Sequence, residues 1–162
     1  MKTDMKYMVL LLLFITMNAY GQDFLFIKGK AFSGFIVPKE HLVFRSIENQ
    51  QERFTPSKDD VEKAELLLLS NTDYLKKSQG NVFPGYPVIY KNRSKYIRQY
   101  VGFKDKSGDD VIWINFLSKK NIAHSKLGKD IVNVLDGGSY YWSVFVNITT
   151  GAVFGVQING LG

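Results

Sequence analysis

The residues best suited to chemistry in this sequence are the aromatic and basic side chains between Tyr86 and Lys104. Rings that stack beside cations are used to bind single-stranded nucleic acid, and they equally suit an anionic glycan or a lipid head group. The structural alternative is that strand tyrosines pack while lysines solvate a sheet edge and discourage aggregation. The tyrosines are Tyr86, Tyr90, Tyr96 and Tyr100, and the cations are Lys91, Arg93, Lys95, Arg98 and Lys104.

Six aromatic or basic residues, three of them from later in the sequence, are candidates for one ligand-binding face. On a strand, alternate residues share a face, so Arg98 and Tyr100 should point the same way. A concave aromatic face of this kind suits an unknown partner protein, a peptide or an anionic glycan. This hypothesis predicts that Arg98 and Tyr100 are at least partly exposed. The six candidates are Tyr96, Arg98, Tyr100, Trp113, Tyr140 and Trp142.

No group of residues predicts catalysis, a metal site or a cofactor. His41 and His124 are the only histidines, they are far apart in the sequence, and a zinc site needs three or four converging ligands. Gly137-Gly138 lacks the flanking residues of a phosphate loop and is typical of a turn. Four acidic residues stand at the start of a predicted helix, where the helix dipole explains them. They are Asp59, Asp60, Glu62 and Glu65.

Composition limits the function classes further. The 162 residues include no cysteine, which excludes thiol catalysis, thiolate metal sites and disulfides. The formal net charge is +6. A mildly basic protein is weakly attracted to anionic surfaces, but this charge does not specify nucleic acid, and no specific nucleic-acid partner is expected.

The first 21 residues have the pattern of a cleavable signal peptide. Lys2 and Lys6 precede a short apolar run over residues 7–17, and Ala19 and Gly21 are small residues at the positions that a signal peptidase recognises. The run is about half the length that crosses a bilayer. We therefore predict cleavage after Gly21, export to the periplasm or the medium, and a single mature domain over residues 22–162 without a membrane span.

One long helix is predicted over residues 55–80. Thr55 is a suitable N-cap, Pro56 fits the first helical position, and Gly80 is a natural stop. Apolar residues recur at helical spacing and predict one buried stripe. The stripe consists of Val61, Ala64, Leu68 and Leu75.

The rest of the sequence predicts strands. Before the helix, short strands are expected over residues 23–30, 34–37 and 41–47. After it, a period of two and the turn residues between the segments predict a meander. We expect an α+β fold, with one main helix packed on a curved antiparallel β-sheet. The later strands are predicted over residues 96–103, 111–117, 131–135, 139–148 and 152–158.

The order of a helix followed by long antiparallel strands, over residues 55–158, resembles the cystatin-like and NTF2-like groups of folds. The signal sequence and the Thr-Pro helix start also resemble small uncharacterised exported proteins of Bacteroidetes-type bacteria. Two strings contribute to the second resemblance. They are Tyr96-Ile97-Arg98-Gln99-Tyr100 and Val134-Leu135-Asp136-Gly137-Gly138-Ser139-Tyr140.

These observations favour a non-catalytic exported binding or interaction module. The first alternative is a small NTF2-like enzyme acting on a hydrophobic ligand, which requires a closed apolar pocket containing a buried ionisable group. The second is a cystatin-like protease inhibitor. The cystatin motif Gln-x-Val-x-Gly lies at a hairpin tip, whereas Gln99-Tyr100-Val101-Gly102 is one residue shorter and lies in a predicted strand.

Overall fold

The predicted signal peptide, residues 1–21, lies outside the part of the chain that the structure describes. Residues 44–47 of the strand predicted at 41–47 also lie outside it. Residues 41–43 are described and do not form a strand. The computed structural model of the protein describes residues 23–43, 51–80, 83–120, 122 and 127–161.

In the part of the chain that the structure describes, seven strands form one sheet at the centre of the fold. The strands are β1 (Leu25–Lys28), β2 (Ser33–Ile36), β3 (Glu52–Phe54), β4 (Tyr96–Lys104), β5 (Asp110–Ser118), β6 (Tyr141–Asn147) and β7 (Val153–Ile158). Their order in the sheet is β1-β2-β4-β5-β6-β7, and β3 also pairs with β4, beyond the end of β2. The hairpin predicted between residues 96 and 117 is confirmed as β4 and β5, which pair over nine residues each.

The prediction of a curved antiparallel sheet is correct only in part. β2 runs parallel to β4, with Gly34 opposite Arg98, while the other pairs are antiparallel. The sheet is therefore mixed, and it is open and uncurled. Parallel neighbours need a long connection, and the chain between β2 and β4 supplies it with β3 and the helices. The residue pattern of one strand carries no information about its direction.

Two helices, α1 (Lys58–Ser70) and α2 (Thr72–Gln79), pack on one face of the sheet. The N-cap of α1 is Ser57, two residues after the predicted N-cap Thr55, because Ser57 and Asp60 form a capping box there. No helix in the described residues is long and apolar enough to cross a membrane. The predicted apolar stripe is confirmed as fully buried at Val61, Ala64, Leu68 and Leu75.

The single long helix of the sequence prediction is interrupted at Asn71. Its side-chain amide and the hydroxyl of Ser70 both donate hydrogen bonds to the carbonyl oxygen of Leu67, at 2.9 and 2.8 Å. The hydroxyl of Thr72 donates to the carbonyl oxygen of Leu69 at 2.7 Å. Short polar side chains that bond to nearby backbone groups compete with the helical pattern, and three of them in succession end α1 here.

The two faces of the sheet are covered differently. On one face, Tyr100, Ile114 and Val144 pack under the helices. On the other face, Val101 and Trp113 pack under irregular segments of the chain, including residues 24, 37, 43 and 131. The central strands β4 and β5 are therefore buried on both sides.

The predicted strand at residues 131–135 is wrong. This segment is irregular, and side chains of the sheet satisfy its backbone. The N–H of Val132 donates to Gln99 Oε1 at 3.0 Å, and the amide of Asn115 donates to the carbonyl oxygen of Val132 at 2.9 Å. A segment bonded in this way does not need a neighbouring strand.

Candidate functional site

An open groove lies along the outer side of α1. Its walls are α1, the turn between β1 and β2, and the segment that leads into β4. It encloses about 560 Å³, which is in the range of small-ligand pockets. We call it the α1 groove. Its residues are Gly29, Lys30, Ala31, Phe32, Glu62, Glu65, Leu66, Leu69, Tyr90, Lys91, Arg93, Ser94 and Arg98.

A tight turn positions the wall opposite α1. The N–H of Gly29 donates to the carbonyl oxygen of Phe32 at 3.0 Å, which closes the turn around Lys30 and Ala31. A Cβ at Gly29 would overlap the ring of Phe32, so a larger residue at this position would displace that ring. The Phe32 ring packs edge-on against Tyr100, with the ring centres 6.4 Å apart, and this contact fixes the wall against the sheet.

Two leucines of α1 face solvent at the groove. Residues 66–69 are four consecutive leucines, and a helix of 3.6 residues per turn directs only part of such a run inward. Leu68 is fully buried, whereas Leu66 and Leu69 are 67% and 58% exposed. Apolar side chains that are exposed next to a concave surface are typical of a binding site.

A buried charged cluster forms the floor of the groove. Arg98 Nε lies 2.7 Å from Glu65 Oε1 in an ion pair, at an angle outside hydrogen-bond geometry. The hydroxyl of Tyr100 donates to the same Glu65 oxygen at 2.9 Å. Arg98 Nη1 donates to the carbonyl oxygen of Tyr96 at 3.1 Å. Arg98 is only 1% exposed, so these contacts hold it in one position.

Aromatic rings support Arg98 from below. The register of the sheet places Arg98 opposite Phe116, and Phe116 opposite Trp142. The guanidinium carbon lies 4.8 Å from the centre of the Phe116 ring, and Phe116 stacks on Trp142 at 3.7 Å. A desolvated cation over an aromatic face is stabilised by the ring quadrupole.

Burial controls the protonation of this cluster. It raises the pKa of Glu65 above its ordinary value, although Arg98, Tyr100 and Arg93 each act to lower it. Desolvation of a buried ion pair can exceed the attraction between the charges. Burial also raises the pKa of Tyr100 well above its ordinary value, and the adjacent Glu65 adds to this effect. Tyr100 therefore remains a hydrogen-bond donor.

The exposed aromatic face predicted from the sequence is wrong. Arg98 and Tyr100 are both buried, as are Tyr96, Trp113 and Trp142. The reason is that β4, β5 and β6 are covered on both faces. Trp113 also lies on the opposite face of the sheet from Arg98. Of the six candidates, only Arg98 lines the α1 groove.

The sixth candidate, Tyr140, lies away from the groove. It belongs to a short 3₁₀ turn, Gly138–Tyr140, and its hydroxyl donates to the carbonyl oxygen of Gly85 at 3.0 Å. Its ring lies 5.5 Å from Tyr86. The aromatic and basic stretch is thus divided, because Tyr86 lies beside this turn while Tyr90, Lys91 and Arg93 reach the groove.

Of the two histidines that the sequence analysis weighed, His124 lies outside the described residues. His41 Nε2 lies 3.2 Å from Asp130 Oδ1, and no group of potential metal ligands is found among the described residues. The four residues Gln99–Gly102 are buried within β4, away from any hairpin tip.

Sequence reasoning missed Glu65, Leu66 and Leu69 as site residues. Glu65 was assigned to the helix dipole together with Asp59, Asp60 and Glu62. A signal was available, because Glu65 directly follows Ala64 of the buried stripe and precedes four leucines. Its partner Arg98 stands between two tyrosines on a strand face that proved buried.

In comparisons with known proteins, the chain matches no family model, no curated protein and no solved structure.

Proposed function

We propose that the protein is a non-catalytic exported binding module whose ligand site is the α1 groove. The observation that carries this proposal is the pair of exposed leucines, Leu66 and Leu69, beside a cavity of about 560 Å³. Pockets for small ligands combine apolar walls with a few fixed polar groups. The walls here include the apolar side chains of Phe32, Leu66 and Leu69. The floor contains the fixed Glu65–Arg98 pair. A small ligand with an apolar body fits this combination.

Export is part of the proposal and is supported by the N-terminal sequence. Basic residues, a short apolar run and small residues before Gln22 favour cleavage and release into the periplasm or the medium. The resemblance to cystatin-like and NTF2-like folds belongs to the same proposal. It is supported by the order of helices followed by the hairpin of β4 and β5, and mixed pairing at β2 counts against it.

A small enzyme is the second candidate, and one observation favours it. Glu65 is a carboxyl group with a raised pKa beside an apolar groove, and perturbed groups of this kind are candidates for acid–base catalysis. Two observations count against it. Arg98 and Tyr100 already occupy one oxygen of Glu65, and exposed leucines leave the groove open to water.

The proposal is tested with the neutral apolar dye N-phenylnaphthylamine, whose fluorescence rises when it leaves water. The purified protein should bind the dye, and the double variant Leu66→Gln/Leu69→Gln should lose most of that binding. Both leucines are exposed, so the variant should keep its circular dichroism spectrum.

Leu135→Gln is the matched control, because Leu135 is 89% exposed and is not among the groove residues. It should bind the dye as the native chain does. Equal dye binding by the native chain and the double variant would reject the α1 groove as the ligand site.

A further inference from the structure

We propose that the ligand of the α1 groove is an amphipathic carboxylate, with its charged group at Arg93 and its apolar chain along Leu69 and Leu66. This inference rests on the proposed function and adds the chemical class of the ligand. Each part of it depends on groove residues whose positions the structure gives.

The groove carries an excess of positive charge. Its side chains include four cations and two carboxylates, which leaves two uncompensated positive charges beside apolar walls. A concave surface with one excess sign of charge attracts ligands of the opposite sign. The cations are Lys30, Lys91, Arg93 and Arg98, and the carboxylates are Glu62 and Glu65.

Of the two arginines, Arg93 is the one placed to meet a ligand. Arg98 is buried and fixed by Glu65, the carbonyl of Tyr96 and the Phe116 ring. Arg93 is only partly buried, and its Nη1 donates to the carbonyl oxygen of Leu68 at 2.9 Å. A guanidinium has five N–H donors in a planar fork that matches a carboxylate, so this one bond orients Arg93 without exhausting it.

The electrostatic surroundings of Arg93 favour an incoming anion. Burial lowers the pKa of Arg93. The negative charge of Glu65 opposes this effect without cancelling it, and the positive charge of Arg98 lowers the pKa by a smaller amount. Its positive charge is therefore incompletely compensated. A carboxylate bound at Arg93 would supply the missing negative charge in a partly desolvated place, where charge-assisted hydrogen bonds are strong.

The apolar part of the groove begins next to the guanidinium of Arg93. The bond from Arg93 to the Leu68 carbonyl places the guanidinium at the last turn of α1, next to Leu69. Leu66 lies one turn earlier on the helix, and residues three apart are neighbours on a helix surface. A chain attached to the carboxylate can therefore lie along Leu69 and Leu66, with Phe32 and Tyr90 in the same groove.

A singly charged group fits this site better than a phosphate. Arg93 is the arginine placed to meet the head group, and it can balance one negative charge there. Glu62 and Glu65 lie in the same groove, and the last turn of α1 presents the negative end of its dipole, so a second negative charge on the ligand would be repelled. The expected ligand is a monoanion with a flexible or flat apolar body.

The test is competition against bound N-phenylnaphthylamine by ligands that share a chain and differ in head group. We expect decanoate to displace the dye at a concentration about tenfold lower than decanol, which is the contribution of one charge-assisted hydrogen bond. Decyl phosphate and decyltrimethylammonium should compete less well than decanoate. Arg93→Gln should remove the preference for decanoate but retain dye binding.

Two controls make the result decisive. Lys39→Gln removes an exposed positive charge outside the groove and should leave the preference intact. Since Arg93 also bonds to α1, Arg93→Lys and the double variant Lys30→Gln/Lys91→Gln are measured as well, and both should weaken decanoate binding while the unfolding curve stays cooperative.

The outcomes separate the two proposals. If the dye binds in the groove but decanol competes as well as decanoate, or Arg93→Gln keeps the preference, the carboxylate inference is wrong and the proposed function stands. Stronger competition by decyl phosphate also overturns the inference. If the dye does not bind, or binds the Leu66→Gln/Leu69→Gln variant equally, both proposals are rejected.

Discussion

Arg98 and Gln99 are neighbours in β4, and they show two ways of burying polar groups in one sheet. Because successive residues of a strand point to opposite faces, Arg98 lies under the helices and Gln99 lies under the irregular segment at residues 127–132. Both side chains are almost completely buried. They differ in charge, in the completeness of their hydrogen bonding and in their access to a cavity.

The side-chain amide of Gln99 is neutral, and both its nitrogen and its oxygen make all the hydrogen bonds that they can. Its Nε2 donates to the carbonyl oxygens of Leu127 and Asp130 at 3.1 and 2.7 Å. Its Oε1 accepts from the N–H of Val132 at 3.0 Å and from the amide of Asn115 at 3.2 Å. A fully satisfied buried network fixes one arrangement of the chain, which is a structural role.

The cluster around Arg98 is charged and borders the α1 groove. Its ion pair with Glu65 has a short distance but a poor angle, and burial raises the pKa of Glu65 in spite of it. Buried ion pairs often contribute little net stability. The comparison indicates that the neutral network contributes to the stability of the fold, while the charged cluster sets the electrostatic field of the α1 groove.

The largest expected effect tests the structural half of this comparison. Gln99→Ala removes four hydrogen bonds and leaves the carbonyl oxygens of Leu127 and Asp130 without their partner. We expect the free energy of unfolding to fall by at least about 3 kcal/mol, because each buried group left unsatisfied costs about 1–3 kcal/mol. Urea denaturation followed by circular dichroism measures the change.

Asn133→Ala is the matched control for that variant. Asn133 is an exposed amide in the irregular segment beside Val132, so its removal should change the free energy of unfolding by less than about 0.5 kcal/mol. A loss below about 1 kcal/mol for Gln99→Ala would show that the amide network does not hold the fold.

The second-largest expected effect tests the charged cluster around Arg98. Arg98→Met keeps an unbranched side chain and removes the guanidinium from Glu65 and Phe116. At about pH 8 we expect a loss of about 2 kcal/mol, from the cation–π contact and from the charge-assisted hydrogen bond that Arg98 Nη1 donates to the carbonyl oxygen of Tyr96. Without Arg98, which acts to lower the Glu65 pKa, that pKa should rise further. Stability tied to a raised carboxyl pKa is lost as pH rises, so the destabilisation should grow with pH.

The measurement is urea denaturation of Arg98→Met across the range from about pH 4 to about pH 8, which begins near the ordinary pKa of glutamate. Lys95→Met controls for the loss of one positive charge, because Lys95 is exposed just before β4. A destabilisation that is constant with pH would show that Arg98 and Glu65 are not coupled.

The strength of local signals decided how much of the fold could be predicted. The apolar stripe of the helices and the stop at Gly80 were predicted correctly, because helical spacing and glycine at positive φ are local properties. The parallel pairing of β2 with β4 was missed, since it depends on a contact between distant segments. The strand predicted at 131–135 failed for the same reason, because Gln99 and Asn115 satisfy its backbone from the sheet.

The candidate site was less predictable than the fold. Its parts come from the turn at Lys30, from α1 and from the segment at Arg93, which lie far apart in the sequence. Arg98 was chosen for the wrong reason, as an exposed cation, and it is instead a buried one. Alternation shows which residues share a face, but it does not show whether another layer covers that face. The role of Glu65 depends on its ion pair with Arg98 of β4, and the sequence alone does not show that contact.

The smallest expected effect decides which term controls the charged cluster. Glu65→Gln keeps the shape of the side chain and an oxygen that can accept from Tyr100, and it removes the titrating charge. Because the folded-state pKa of Glu65 is raised by burial, its contribution to stability is present below the unfolded pKa and is lost as pH rises through the folded pKa. Relative to the native chain, Glu65→Gln should therefore gain stability as pH rises over that range.

Urea denaturation of both chains measures how this stability difference changes with pH. Glu62→Gln, three residues earlier on the exposed side of α1, controls for net charge. The opposite slope would mean that attraction to Arg98 outweighs burial, and that the ion pair holds the fold as the Gln99 network does.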